Sequence, residues 1–220
     1  MITHLVAVGD IHGQHNKLVS LLRGAKTFMS GRGLRYQADW NFLFIGDYID
    51  RGPASMEVVE AVKRLQGKGA ICLLGNHEEI AIQNQTPYEV STLHSYGGLD
   101  AADDPTGIFY AHLRWFETLP HYHRAENHLF VHAGIKPNVP YAEQLEEVDK
   151  NVLLWIRDPF LTATTDFGIY VVHGHTVTRQ ASPDIRENRC NLDTGAGYGS
   201  RLSAAVFDLA LQKPIHTFSV

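Results

Sequence analysis

The chain alternates short apolar runs with longer segments whose apolar residues recur every three or four positions. Residues 2–8, Asn41–Ile45 and Ala70–Leu74 read as buried strands. Between the first two, Leu18, Leu21, Leu22 and Ala25 give a helical stripe, and Gly31–Trp40 a polar loop. After the second, Pro53 and Ser55 suit a helix start, Met56, Val59, Val62 and Leu65 form an apolar face, and Gly67 and Gly69 stop it. This strand–turn–helix recurrence predicts βαβ units with polar residues gathered at one end of a sheet. Residues 79–126 are less regular. TLHSYGGLDAADDP reads as loop and short helix, and Thr106–Leu119 as an amphipathic helix. A strand at Leu129–Val131 and an acidic-faced helix over Glu143–Leu154 follow, then LLWIRDP with a buried-looking Trp155. GIYVVHGHT, ENRCNLDTGAGYG, RLSAAVFDL and Pro214–Val220 supply the late strands.

The apolar runs end in glycine turns, and the turns carry the chemistry. GDYIDRG (Gly46–Gly52) sets two carboxylates and an arginine within one short stretch. Asp47 falls at the C-terminal end of its strand, where open α/β sheets collect ligands, and its two oxygens can bridge two cations. Arg51 offers a planar fork of donors suited to phosphate. Taken alone, the stretch also fits a turn with a surface ion pair. In GDIHG (Gly9–Gly13), an extended Asp10–His12 would place both side chains on one face and on one metal; a strand-to-helix turn capped by Asp10 is the alternative. GNHE, HAG and GHT add Asn76, His132 and His175. These oxygen and nitrogen donors, with no thiolate, suit manganese, iron, zinc or cobalt in a reactive site rather than a structural zinc. Six ligands exceed what one catalytic ion with an open position needs and match two ions sharing Asp47. His94, His112, His121, His123 and His128 lie outside strand-end glycine turns and read as ordinary surface or core residues.

Composition narrows the function. At 220 residues with no linker, repeat or low-complexity segment, residues 1–220 are expected to form one α/β domain. The net charge of −5 argues against a general nucleic-acid or anionic-membrane surface. No run reaches the roughly 20 apolar residues of a spanning helix, and the N-terminus lacks the basic start of a signal peptide. Cys72 and Cys190 sit in apolar runs and read as core thiols, which fits a reducing, cytoplasmic setting.

The order GDIHG, GDYIDRG, GNHE, HAG, GHT resembles the phosphoprotein phosphatase family of metallophosphoesterases, most closely its short bacterial serine/threonine members. The resemblance runs from Gly9 to about Leu209, and it is specific because all five motifs occur in sequence. It implies a calcineurin-like sandwich of two mixed β-sheets flanked by helices. It implies that Asp10 and His12 bind one metal, that Asp47 bridges two, and that Asn76, His132 and His175 complete the second. A water or hydroxide between the ions would be the nucleophile, with manganese the expected metal. By the same resemblance His77 is the general acid, Asp50 orients it, and Arg51 and Arg157 bind phosphate. His173 and Asp193 carry no clear assignment, and Glu78 is expected to cap or brace its helix. The implied activity is hydrolysis of phosphoserine and phosphothreonine in phosphoprotein substrates. The alternative is symmetrical hydrolysis of dinucleoside polyphosphates; members of that branch typically lack the second aspartate of GDxxDRG and carry GNHD. Tyr88, Tyr96 and Arg114 are the obvious candidates to hold a base in that case.

Overall fold

A computed structural model describes residues 1–87, 89–98 and 107–220. The first three apolar runs form strands β1 (His4–Val8), β2 (Trp40–Phe44) and β3 (Ile71–Cys72), joined through helices α1 (His15–Gly31) and α2 (Ser55–Gln66). β1 pairs parallel with β2, and β2 with β3, as the βαβ pattern requires. Only Ile71 and Cys72 of the third run are strand; Leu74 continues by donating its N–H to the Pro120 carbonyl. Helices α3 (Asn76–Asn84), α4 (Val90–Ser95) and α5 (Ile108–Phe116) follow. The expected helix over Thr106–Leu119 is thus shorter, with Thr106 itself outside the described residues.

The second half begins with a hairpin, β4 (Tyr122–Ala125) and β5 (His128–Val131), whose first strand has no clear periodic signal. The helix expected over Glu143–Leu154 is two helices, α6 (Tyr141–Glu146) and α7 (Lys150–Trp155). The break has a local cause: Asp149 takes an extended conformation and its side chain accepts the Asn151 N–H, starting α7 afresh. Then come β6 (Tyr170–His173), β7 (Asp184–Ile185), β8 (Arg189–Asn191), β9 (Ser203–Asp208) and β10 (His216–Ser219).

Two mixed five-stranded sheets result, ordered β10-β9-β1-β2-β3 and β4-β5-β6-β8-β7. Strand period places alternate residues on opposite faces. Leu5, Ala7, Leu43, Ala205 and Phe207 of the first sheet meet Phe130, Tyr170, Val172 and Cys190 of the second. Val6, Val8, Phe42, Phe44 and Val206 face the helical layer of Leu18, Leu21, Val59, Val62 and Phe109. Leu129, Val131 and Val171 face Leu153 and Phe160. The inner strands are therefore covered on both sides, which is why their sequence is apolar throughout rather than alternating. Cys72 and Cys190 are buried free thiols. Among the described residues no helix is long and apolar enough to cross a membrane. The parallel strands β1, β2 and β3 of one sheet and β5, β6 and β8 of the other bring their C-terminal ends to one rim, and the glycine turns leave from there.

Candidate metal and phosphoester site

The turn after β1 carries Asp10 and His12, that after β2 Asp47 to Arg51, and that after β3 Asn76 and His77. His132 leaves β5 and His175 follows β6. All six expected metal ligands are buried. The extended arrangement considered for Asp10–His12 is not what joins them: β1 ends at Val8 and His12 has φ 46°, so a left-handed turn aims both side chains inward. Asp47, Asp50, Arg51 and His175 also have positive φ. Strain of this kind persists only where surrounding contacts over-determine the backbone.

Glu78 supplies many of those contacts. Its Oε1 accepts the N–H groups of Tyr48 (2.8 Å) and Ile49 (3.2 Å), and its Oε2 those of Asp47 (2.9 Å) and Gly75 (3.1 Å). It caps its own helix and also clamps the Asp47 loop. Burial and the Asp47 charge push its carboxyl up to about 8. The four donors occupy both lone pairs of each oxygen, so the ionised form is the one that fits this loop. Side chains at Gly75 and Gly174 are excluded: a Cβ would lie 2.3 Å from Asp47 Oδ1 at the first and 2.0 Å from Asp10 Oδ1 at the second.

The donor set fits divalent cations. His12 Nδ1–H donates to the Ile49 carbonyl (2.7 Å) and His132 Nδ1–H to the Ile45 carbonyl (3.0 Å). Each bond fixes the tautomer and leaves an Nε2 lone pair facing the cluster. His132 Nε2 is 2.8 Å from Asn76 Oδ1 and 3.5 Å from Asp47 Oδ1, so acceptors converge on acceptors. Asp10 Oδ1 and His175 Nε2 are buried without a partner among the described residues. Ligand atoms of Asp10, Asp47 and His132 form one compact group, and those of His12, Asp47 and His77 another, with Asp47 common to both. Burial, then Asp193 and Asp47, raise the Asp10 carboxyl well above its usual range. A bound cation relieves such crowding while keeping the carboxylates ionised.

Burial lowers the pKa of His12 to about 4 and that of His175 to about 3, and lowers that of His132, so these three imidazoles are neutral and ready to ligate. His77 differs. Burial opposes its protonation, but Asp47 and the hydrogen bond to Asp50 outweigh it and push His77 up to about 9. His77 Nδ1–H donates to Asp50 Oδ2 at 2.6 Å. Asp50 is held in turn from the irregular part of the chain: Thr92 Oγ1 accepts the Asp50 N–H (2.9 Å) and donates to Asp50 Oδ1 (2.7 Å), and Ser55 Oγ accepts the same N–H (3.1 Å).

Arg51 reaches His12 Nε2 with one guanidinium nitrogen and lies 3.1 Å from His77 Nε2 with the other. Its guanidinium stacks on Tyr198, 4.5 Å from the ring centre, and the Arg51 backbone N–H donates to Glu89 Oε2. Arg157 is exposed, and its guanidinium has no hydrogen-bond partner among the described residues; its charge helps to lower the pKa of His175. Trp155, expected to be buried, is 39% exposed at the end of α7, its ring 5.9 Å from that of His175. Asp193, left open from sequence, is buried beside the cluster; burial first, then Asp47, pushes its carboxyl up to about 6, and its Oδ2 has no partner. His173 is not in the cluster: it packs on Phe160 and pairs with Arg189. His112 bridges Tyr96 and Glu60, and His128 meets the Gln212 carbonyl, as core histidines do. Tyr96 is buried through that bond and is no platform for a base, Arg114 is exposed, and Tyr88 lies outside the described residues.

Thr92, Glu89 and Tyr198 carry no sequence signal, since each acts on a distant segment. Asp193 has a partial one: it closely follows a strand and, like His132 before Gly134, stands two residues ahead of a glycine, Gly195.

Residues 3–198 match the calcineurin-like phosphoesterases. The chain belongs to that family. As a calcineurin-like phosphoesterase it is 26% identical over 227 residues to the asymmetrical bis(5'-nucleosyl)-tetraphosphatase PrpE of Bacillus velezensis, covering 91% of this chain and 87% of that protein. A PP2A-like serine/threonine-protein phosphatase of Saccharomyces cerevisiae is 30% identical over 152 residues, covering 67% of this chain and 37% of the yeast protein. Among solved structures, one proposed to be a diadenosine tetraphosphatase superposes with a TM-score of 0.69 at 26% identity, spanning 100% of this chain and 94% of that one. A cold-active protein tyrosine phosphatase superposes at 0.66 with 16% identity, over 100% of this chain and 79% of its own, a likeness of fold. This calcineurin-like phosphoesterase thus has a candidate two-metal site of histidine and aspartate residues at the meeting of its sheets.

Proposed function

We propose that the protein is a metal-dependent phosphomonoesterase acting on phosphoserine and phosphothreonine in proteins. The observation that carries this is the Asp50–His77 pair, 2.6 Å apart, beside Arg51. A serine or threonine alkoxide is a poor leaving group and needs a proton; a nucleotide phosphate is already a stable anion. A buried imidazolium fixed by a carboxylate is built for the first task. Asp10, His12, Asp47, Asn76, His132 and His175 would hold two divalent ions, with manganese well suited to this donor set. When bound, the ions supply Lewis acidity and neutralise the phosphoryl oxygens. Arg51, fixed by Tyr198 and Glu89, and Arg157 hold the remaining phosphate oxygen. Asp50 keeps His77 oriented, and the proton on Nε2 passes to the leaving oxygen.

A second reading is asymmetrical cleavage of a dinucleoside tetraphosphate. It draws on the relative named for that activity, which covers nearly all of this chain where the yeast phosphatase covers two thirds. It replaces the symmetrical cleavage considered from sequence. The two readings separate in one assay: kcat/KM of the manganese-loaded protein on a phosphothreonine peptide and on diadenosine tetraphosphate, with products resolved. We expect the peptide to be preferred. Tetraphosphate cleavage faster by tenfold or more, giving ATP and AMP, replaces the first reading with the second.

A further inference from the structure

A groove of about 830 Å³ is lined by residues drawn from 158–164 and 176–191, including parts of β7 and β8 of the second sheet. Two of its lining residues, Thr176 and Asp158, adjoin His175 and Arg157 in the chain, so part of its wall lies one residue from a candidate ligand. Its size matches cavities that enclose drug-sized molecules, far beyond what a single phosphoamino acid fills.

Buried polar atoms without a partner among the described residues occur beside the metal-ligand cluster, around Tyr36, Trp40 and Asn41, at His121 and His128, and in the wall of this groove. In the groove they are Thr176 Oγ1, Thr178 Oγ1 and Arg189 Nε. Such atoms are costly unless something meets them. Arg189 itself is almost fully buried, and its two other nitrogens are taken by His173 and the Leu161 carbonyl. Exposed Arg179 also lines the groove and has no partner among the described residues. The acids nearby are mostly spent: Asp184 is paired with Arg186 and Arg189, and Glu187 with Lys213. Among the described lining residues, the groups left without a partner are the Arg179 guanidinium and Arg189 Nε as donors, the Thr176 and Thr178 hydroxyls, and exposed Asp158 as the single unpaired acid. The lining contains no aromatic ring on which a nucleobase could stack.

We infer that this groove binds the chain flanking the phosphorylated residue, an extended acidic peptide segment whose carbonyls and carboxylates meet Thr176, Thr178, Arg179 and Arg189. The inference rests on the phosphoprotein reading. An extended chain advances about 3.3–3.6 Å per residue, so the first residues beyond the phosphoresidue enter the groove at once.

The test compares manganese-loaded wild-type protein with Arg179→Glu and Thr178→Val on four substrates: a phosphothreonine peptide with acidic flanks, the same peptide with basic flanks, p-nitrophenyl phosphate and diadenosine tetraphosphate. Arg179 and Thr178 lie outside the proposed catalytic set. Arg179→Glu should raise KM on the acidic peptide about tenfold, the loss of one charged hydrogen bond plus a new repulsion, and Thr178→Val roughly threefold. Neither should change kcat or the p-nitrophenyl phosphate constants. Anisotropy of a labelled acidic phosphopeptide gives a second readout, weakening in parallel. Unchanged KM and anisotropy on the acidic peptide, or an equal loss on p-nitrophenyl phosphate, overturns the groove assignment while leaving the phosphoprotein reading intact. A KM rise confined to diadenosine tetraphosphate assigns the groove to a polyphosphate and overturns the peptide. A wild-type protein that cleaves the tetraphosphate but no phosphopeptide refutes the underlying reading instead.

Discussion

At the scale of residues, His77 lies against Asp47 and Asp50, which push it up to about 9 in spite of burial, while burial drives neighbouring His12 and His175 down to about 4 and 3. The same side-chain type is thereby sorted into one proton donor and neutral ligands. His77→Asn should keep its metals but lose about 10²–10⁴ in kcat on a phosphothreonine peptide, the usual worth of a positioned acid, and much less on p-nitrophenyl phosphate. Equal losses on both substrates would remove His77 from the acid role, and lost metal in the variant would make it a ligand. Wild-type activity on the peptide should fall on the alkaline side as the His77 proton leaves, because Asp50 keeps that proton bound at neutral pH. Stability moves the other way for the ligands. A depressed imidazole contributes stability above its unfolded value of 6.5 and loses it as pH falls through the folded value. In metal-free protein the His12 and His175 contributions should therefore be lost progressively from pH 6.5 through about 4 and 3, against an opposite gain from Asp193 and Glu78, whose carboxyls are raised to about 6 and 8. Scanning calorimetry of chelated wild type against His12→Asn isolates the imidazole share.

At the scale of elements, the first turn of α3 locks the loop after β2: Glu78 accepts N–H groups from Asp47, Tyr48 and Ile49 while capping its own helix. Glu78→Gln turns one acceptor oxygen into a donor aimed at backbone N–H groups. It should destabilise the fold by roughly 1–3 kcal/mol, the cost of buried unsatisfied polar groups, and speed hydrogen exchange in residues 46–52. An unchanged melting temperature and exchange rate would mean that the clamp is unimportant. This locking also explains what sequence could and could not show. The ligand turns were legible because an apolar run, a glycine and a hard donor recur at Gly9, Gly46, Gly75 and Gly174. How Asp10 and His12 meet was not, because extended strand geometry and a left-handed turn both leave two side chains facing inward, and only the backbone decides. Thr92 was hidden for another reason: its helix has six residues and little pattern, yet tertiary contact places its hydroxyl on Asp50. The split of residues 143–154 hinged on a single capping side chain, Asp149, within a run whose composition suits a helix throughout.

At the scale of the whole molecule, two sheets buried on both faces fix the rim where their parallel strands end, and the molecule gathers there the buried carboxylates of Asp10, Asp47 and Asp193. Burial raises Asp10 and Asp193; burial also opposes the charge on Asp47, but its histidine neighbours hold that carboxyl well below its usual range. The arrangement stores repulsion that bound cations relieve, so metal affinity and fold stability are linked. Manganese should raise the melting temperature of chelator-treated protein in a concentration-dependent way, and elemental analysis should give two ions per chain. Asp10→Asn should separate the two sides of that linkage. Removing one charge from the cluster should leave the metal-free protein as stable as wild type or more so, because desolvation and repulsion by Asp193 and Asp47 disappear together. The manganese-induced rise should shrink, because a neutral amide replaces a carboxylate ligand. Asp47→Asn should abolish most of the rise, since the group shared by both ligand sets is lost. A stoichiometry near one ion, or an Asp47→Asn protein that still gains the full wild-type increment, would be incompatible with Asp47 as the bridge between two ions.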